Sequence, residues 1–380
     1  MSGVRFDERL DALVVTSFPL ARQVLHGPGW VSDLAANLRL LAGMGGAEDL
    51  PPLMATMLEL FADGPVHDRF RELVAPSFSA KRIEALRPWI AEIAAAGVSG
   101  VSEVDGPVDL IELLAYPVPV AVIAGLLDVG QEGAELISET APRLTAVLES
   151  DPAEEQLLDA GHAAIDCAMF LLPLLAERRA EPGDDFVSEL LRAGDGLLSL
   201  DEVLAIILLL LIAGQETTAG LIGNGVLDLL RHPAELAALR GEPGRAGAVV
   251  QEVLRLDPPL RTTGRLAATE QWLGEVVVPA GGKVLVDLAA ANRDPVRFTD
   301  PDRFAPGRAD AAHLAFGGGA HFCLGAALAR VETEEVLRQV AVRLPELALA
   351  EPEPPRRPST NFHALTRLLI AHPSAVRSPG

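Results

Sequence analysis

The longest apolar run in the chain, VLAIILLLLIAG at residues 203–214, has no polar face. A helix that is apolar nearly all round belongs at the centre of a structure rather than on its surface. SLDE, at residues 199–202, supplies a start, because Ser199 can cap an early N–H while Glu202 reaches back to the cap. Pro233 supplies the stop. The pattern predicts one helix from Leu200 to about Arg231, roughly 48 Å long at about 1.5 Å per residue. The apolar run is 12 residues long and is flanked by Asp201, Glu202 and Glu216. A membrane span needs about 20 apolar residues, so this run reads as a buried helix of a soluble protein.

Other segments repeat the helical pattern from Arg69 to Gly241. PVDLIELLAYPVPVAVIAGLLDVG has helical apolar spacing broken by Pro117 and Pro119, and GDDFVSELLRAGDG gives a short helix. AGAVVQEVLRLDPP gives another, stopped by Pro258, and the run after Cys323 gives one to Leu344, ended by Pro345. Strand patterns are fewer. DALVVTS is the first, and WLGEVVVPAGGKVLVDLAA places two β-branched runs around PAGG, which predicts a hairpin. Residues 27–60 read as loops with short helices, and 291–308 as irregular chain. The expectation is a mainly α protein with a smaller β portion, organised as one domain over 1–380. Its β-rich regions are approximately 1–60, 265–310 and 345–380, and its helical regions approximately 61–264 and 323–344.

Composition narrows the function. The 53 acidic and 31 basic residues give a formal charge of −22, which argues against nucleic acid as a partner, since phosphate binding needs a cationic surface. Two cysteines, Cys167 and Cys323, form no disulfide framework and no CxxC metal spacing. A reducing cytosol fits, and the acidic N-terminus does not resemble a secretion signal, so a cytoplasmic location is expected. Cys167, within AIDCAMFLLPLL, reads as a core or pocket-edge residue.

Cys323 stands in a different setting, AFGGGAHFCLGAALAR at residues 315–330. A thiolate is stabilised at a helix N-terminus, and glycines let backbone approach a bulky partner. An inert buried thiol is the bland reading of an isolated cysteine. A dinucleotide loop fails because position 322, where the third glycine would fall, is Phe. A Cys–His nucleophile would need an orienting third group, and His321 is poorly spaced for one. A permanent thiolate ligand suits the segment, and haem iron accepts such a ligand. The pattern F-G-x-G-x-H-x-C-x-G is met by Phe316, Gly317, Gly319, His321, Cys323 and Gly325.

This segment resembles the haem-binding loop of the cytochrome P450 family, the haem-thiolate monooxygenases. The resemblance implies the P450 fold with a long central helix over haem b, held non-covalently, with Cys323 as axial ligand and O2 as co-substrate. Other motifs follow in the family's order. Glu252 and Arg255, in QEVLR, would form a buried network with Arg308, from FAPGR. His67, Arg71, Arg265 and His321 would contact the haem propionates. In AGQETT, Ala213 and Gly214 would leave space over the iron, Thr217 would lie beside bound O2, and Glu216 would relay protons. Gly214 and the Thr217 hydroxyl are expected to widen the helix locally, as π-bulges do.

The implied activity is hydroxylation or epoxidation of a small organic substrate, in bacterial secondary metabolism. The alternatives are oxidative coupling or cyclisation without oxygen insertion, and a non-catalytic recruitment or sensor protein of the same fold. Electrons would come from a ferredoxin and its reductase. Residues 67–88 carry Arg69, Arg71, Lys81, Arg82 and Arg87 against Asp68, Glu72 and Glu84, a local +2 that suits steering of an acidic partner. Residues 27–62, 145–185, 258–263 and 359–366 would wall the substrate pocket. The short N-terminus and the end, STNFHALTRLLIAHPSAVR, depart from the family pattern.

Overall fold

The capped apolar run folds as one helix, Leu200–Arg231, in a computed structural model that describes residues 3–32, 52–104, 106–149, 152–344 and 346–371. The Glu202 N–H donates to the Ser199 hydroxyl at 3.2 Å, and the Ser199 N–H donates to the Glu202 carboxylate at 2.7 Å. In chain order the helices are α1 (Phe18–His26), α2 (Pro52–Phe61), α3 (Pro65–Val74), α4 (Ala80–Ser102), α5 (Pro117–Leu127) and α6 (Gly130–Leu144). They continue as α7 (Glu154–Ala180), α8 (Phe186–Ala193), the central α9 (Leu200–Arg231), α10 (Pro233–Gly241), α11 (Ala246–Leu256), α12 (Leu288–Ala291) and α13 (Ala326–Arg343).

The strands are short. A five-stranded sheet runs in the order β1 (Val4–Asp7), β2 (Ala12–Val15), β8 (Lys283–Asp287), β5 (Thr262–Ala267) and β3 (Trp30–Val31). Its β2–β8 pair is parallel, with Leu13 opposite Val284. The other pairs are antiparallel. A second sheet joins β4 (Val108–Asp109), β10 (Leu369–Ala371) and β9 (Ala348–Leu349), and β6 (Gln271–Leu273) pairs with β7 (Val276–Val278).

Two buried clusters meet along the central helix. Val203–Ile212 packs into one, with Phe70, Ile83 and Leu328, and Ala219, Leu221, Ile222 and Val226 pack into the other, with Leu254 and Leu337. Residues 213–218 lie at the junction and contribute apolar side chains to neither. The final helix, α13, spans both clusters in the same way. Close approach there needs a small residue: a Cβ at Gly225 would stand 3.2 Å from Leu337. Both α7 and α9 are long and apolar enough to cross a membrane, but 83% of the apolar window of α9 is buried inside the protein, as a core helix requires.

Four expectations need correction. The PAGG turn does not join paired strands. Gly274, at φ +62°, closes the hairpin between β6 and β7 instead, and β8 pairs with β5 and β2. Pro117 begins α5 rather than breaking a helix, which fits a residue without an N–H at the first turn. The central helix is continuous α-helix without a π-bulge, and the π-turn lies at Ile111–Ala115. The first of the expected β-rich regions, residues 1–60, also holds α1 and most of α2. Residues 33–51 and 150–151 of the expected pocket wall, Pro345, and residues 372–377 of the quoted end lie outside the described residues.

Candidate haem-thiolate site

The cysteine loop is built on glycine. Gly317 and Gly319 have φ values of +69° and +68°, which side-chain-bearing residues rarely adopt. The loop is pressed against α1: a Cβ at Gly319 would lie 2.5 Å from the Leu25 carbonyl oxygen, and one at Gly318 would lie 2.3 Å from the His26 ring. The Cys323 N–H donates to the Phe316 carbonyl at 3.0 Å, closing the loop just before α13 begins at Ala326. Cys323 is set deep among protein atoms, yet its side chain is accessible. It therefore forms the floor of a recess rather than a piece of sealed core. Burial pushes its thiol pKa up, while the Gly325 N–H and the charges of Arg71 and Arg330 pull it down. Cys167 is the buried thiol, 3.1 Å from the Thr140 hydroxyl, as the core reading expects.

Three of the four residues expected at the propionates, His67, Arg265 and His321, form one group, while Arg71 acts electrostatically on Cys323. The His67 and His321 rings lie 4.1 Å apart at 32°, and Arg265 acts electrostatically on both His321 and Asp63. Arg265 is buried, and among the described residues its guanidinium donates only to neutral oxygens, Gly264 at 2.7 Å and Thr263 at 3.3 Å. The Arg71 guanidinium makes no hydrogen bond or ion pair among the described residues, and burial lowers its pKa. Asp63 offsets the Arg265 charge through space without a direct ion pair among the described residues, and a buried cation that lacks a paired anion is costly, so this group suits an anionic partner. Asp63 is an unforeseen member, bound to His321 Nε2 at 2.7 Å. Burial pushes its carboxyl pKa up, but the Ser32 N–H, His321 and Arg265 carry it below the ordinary range.

The acid–alcohol pair lies at the junction of the two cores. Ala213 is exposed, and Gly214 and Thr217 are half-buried, on a helix otherwise buried from Val203 to Leu229. A Cβ at Gly214 would meet nothing within 4 Å, so open space adjoins this turn. The Thr217 hydroxyl donates to the Ala213 carbonyl at 2.6 Å. Thr217 thus competes for a backbone carbonyl as expected, without opening the helix. Glu216 is buried. One of its oxygens accepts from Arg357 Nη1 at 3.1 Å and the other from Tyr116 Oη at 3.0 Å.

The third constellation is complete. Arg255 donates to Glu252 through Nε at 2.8 Å and Nη2 at 2.9 Å, and Arg308 Nε lies 3.1 and 3.0 Å from the two carboxylate oxygens. Arg255 also donates to the carbonyls of Asn292, Pro301 and Arg303. The Asn292 side chain accepts the Leu314 N–H at 2.8 Å, which ties the network to the base of the cysteine loop.

The model of the family described as Cytochrome P450 matches residues 162–344. The chain is 39% identical to 6-deoxyerythronolide B hydroxylase of Saccharopolyspora erythraea over 89% of its own length and 84% of that protein's. It is 38% identical to the cytochrome P450 monooxygenase PikC of Streptomyces venezuelae, over 91% and 81%. This chain belongs to the cytochrome P450 family. Among solved structures, the P450 resembles P450BioI in complex with an acyl carrier protein, at a TM-score of 0.89, 31% identity, and coverage of 97% and 95%. It also resembles ligand-free CYP164A2 of Mycobacterium smegmatis, at 0.84, 36%, and 97% and 93%. As a P450 it is a haem-thiolate monooxygenase, with haem b as cofactor and O2 as co-substrate. The residues present fit that cofactor: an accessible cysteine in a glycine loop, and two guanidinium groups and two imidazoles for a group bearing two carboxylates.

Sequence reading missed several neighbours of the P450 site. Tyr116 is the single tyrosine of the chain, but nothing in its local pattern points at Glu216, 100 positions away. Arg357 and Glu149 lie in stretches without periodicity. Arg330, whose guanidinium carbon lies 4.6 Å from the Phe316 ring centroid, reads as an ordinary helix residue. The basic stretch also changes character. Arg69 pairs with Glu202, Arg82 with Glu189, and Arg87 with Glu84, Glu334 and Glu335. Three of its five cations are therefore neutralised within the protein.

Proposed function

We propose that Cys323 is the axial thiolate ligand of the haem and that His67, Arg71, Arg265 and His321 bind its propionates. The observation that carries this reading is the exposed residue Cys323 in a loop with positive-φ glycines, acted on by Arg71 and Arg330. Bound haem supplies the electron transfer and O–O cleavage, which a thiolate ligand favours. The chain's own residues do the rest. Phe316, Gly317, Gly319 and Gly325 shape the loop so that backbone can approach the macrocycle. Ala213 and Gly214 keep the space beside the central helix clear, and Thr217 and Glu216 hold and move protons there. Glu252, Arg255 and Arg308 fix the chain that leads into the loop, within one P450 domain over 1–380.

The substrate is a small organic molecule of bacterial secondary metabolism, hydroxylated or epoxidised in the cytoplasm. The two named relatives, a 6-deoxyerythronolide B hydroxylase and PikC, support that class. Electrons arrive from a ferredoxin and its reductase. With Arg69, Arg82 and Arg87 already paired and a formal charge of −22 on the chain, long-range attraction of an acidic ferredoxin is small.

The test is the spectrum of the reduced protein under carbon monoxide. The wild type gives the red-shifted band diagnostic of sulfur opposite CO, and Cys323→Ala loses it. A variant that keeps the band removes Cys323 from the ligand position.

A further inference from the structure

The face that α7 turns away from the core is apolar. Leu158, Ile165, Met169 and Leu172 follow one another in steps of seven, four and three, which a helix brings to a single side. Ala160, Ala163, Ala164, Cys167, Leu171 and Leu175 anchor the other side in the core. Leu158, Ile165 and Met169 are 56%, 55% and 67% exposed. Among the described residues, no other helix carries more than one exposed large apolar side chain. Single apolar residues are ordinary on a surface, whereas a continuous row marks a surface that something covers.

The charges around the row indicate what that is. Helices that rest on a membrane carry Lys and Arg on their polar face, but α7 holds five acidic residues and two basic ones in a chain of charge −22. A lipid headgroup layer is therefore a poor match. The charges are instead divided along the helix, with Glu154 and Glu155 in the first turn and Arg178 and Arg179 in the last. Arg178 is used inside the protein, against Asp128 and Asp185. Glu154, Glu155 and Arg179 have no side-chain hydrogen bond or ion pair among the described residues. A helix with free acids at one end and a free base at the other complements a reversed copy of itself. An antiparallel copy that sets Ile165 against Met169 also sets the Glu154–Glu155 end against Arg179, because both pairings are centred at the level of Cys167 along the helix. A twofold axis repeats each pairing, so an apolar centre is closed by opposite charges at both ends.

We propose that this face of α7 is a homodimer contact, in which a second copy of the chain lies antiparallel over the row from Leu158 to Leu172, with Glu154 and Glu155 of each copy against Arg179 of the other. The size of the contact sets its strength. The helix has 27 residues, which gives about 40 Å of length and a face about 10 Å wide. The pair then buries about 800 Å2 in total, below the roughly 1,200 Å2 at which standard interfaces begin. The dimer is weak and reversible.

The experiment is sedimentation velocity of the haem-loaded protein from about 1 to about 200 µM. It is run in about 0.15 M salt, which screens repulsion between two acidic copies beyond about 8 Å. The wild type passes from monomer toward dimer across this range. Ile165→Lys and Met169→Lys, at exposed positions, each weaken association by about tenfold or more, since a substitution enters a twofold contact twice. Their spectra under carbon monoxide match the wild type. Arg179→Glu weakens the dimer, and so does Glu154→Arg with Glu155→Arg, although that pair of changes reduces the net negative charge. All three changes in one chain restore it. A wild type that stays monomeric at the highest concentration refutes the proposal, as does a dimer that Ile165→Lys leaves intact. A dimer indifferent to Arg179→Glu refutes the antiparallel pairing. A monomer that instead sediments with phosphatidylcholine–phosphatidylglycerol vesicles, and loses this with Ile165→Lys, makes the face a membrane contact and overturns the proposal.

Discussion

Arg308 places its Nε 3.1 and 3.0 Å from the two carboxylate oxygens of Glu252, at a site where Glu252 is 2% exposed. Glu252 is the anion between Arg308 and the fully buried Arg255. Removing one partner of a buried ion pair costs about 3–5 kcal/mol, because the remaining charge stays desolvated. Glu252→Gln keeps the shape and loses the charge. It is expected to lower the unfolding free energy by that order, read as a lower urea midpoint, and to reduce haem content, since Arg255 and Asn292 connect this network to Leu314. An unchanged midpoint would show that the network contributes little to stability.

The loop glycines separate two kinds of damage. Gly319→Ala meets both a positive φ and the Leu25 carbonyl, and strain of this kind costs about 1–3 kcal/mol. Gly325 has an ordinary φ of −81° and open space around its Cβ direction, so Gly325→Ala should fold normally. Thermal unfolding of the haem-free proteins is expected to show a loss for Gly319→Ala and none for Gly325→Ala. Haem titration should then show weaker binding in both variants, in Gly325→Ala without any loss of stability.

Gly214→Ala is expected to stabilise the protein while impairing ligand entry. Alanine in a helix interior is favoured over glycine by about 1 kcal/mol, and a Cβ at Gly214 meets nothing within 4 Å. The added methyl group stands in the space beside the acid–alcohol pair. Calorimetry should record a higher Tm, and carbon monoxide binding to the reduced protein should be slower. Unaltered binding would place the open space away from the reaction site.

Glu332 gives a pH signature. It is buried within α13, its Oε2 has no hydrogen-bond partner, and burial pushes its pKa from 4.5 to about 8. The folded protein therefore keeps the proton that the unfolded chain releases above pH 4.5. Stability linked to this group is fully present below that pH, falls as pH rises, and levels off above about 8. Glu332→Met removes the titration. Its stability relative to wild type should grow between about pH 5 and pH 8, by on the order of 3 kcal/mol. A constant difference across that range, measured by denaturant melts, would mean that Glu332 is not neutral in the fold.

The features readable in the sequence are those written in local patterns. Ser199 and Glu202 announce the central helix because capping is a four-residue event, and the ten-residue cysteine motif places two of its three glycines, Gly317 and Gly319, where the backbone needs positive φ. Pairings between distant segments leave no such trace. Val276–Val278 and Lys283–Asp287 are both β-branched runs beside a turn, and nothing local says that the first pairs backward while the second joins a strand near the N-terminus. Arg357 is likewise invisible: its partner Glu216 is 141 positions away, and no periodicity marks its surroundings. The paired state of Arg69 and Arg82 was equally hidden, because their carboxylates come from the separate helices that hold Glu202 and Glu189.

The parallel contact of Leu13 with Val284 has a consequence for biosynthesis. At about 5–20 residues per second, a ribosome needs on the order of tens of seconds to make the chain between them. Throughout that interval the nascent β2 segment lacks its neighbour and presents an unsatisfied edge. Newborn chains that stall or are cut short before the late strand emerges should therefore be the ones that chaperones capture.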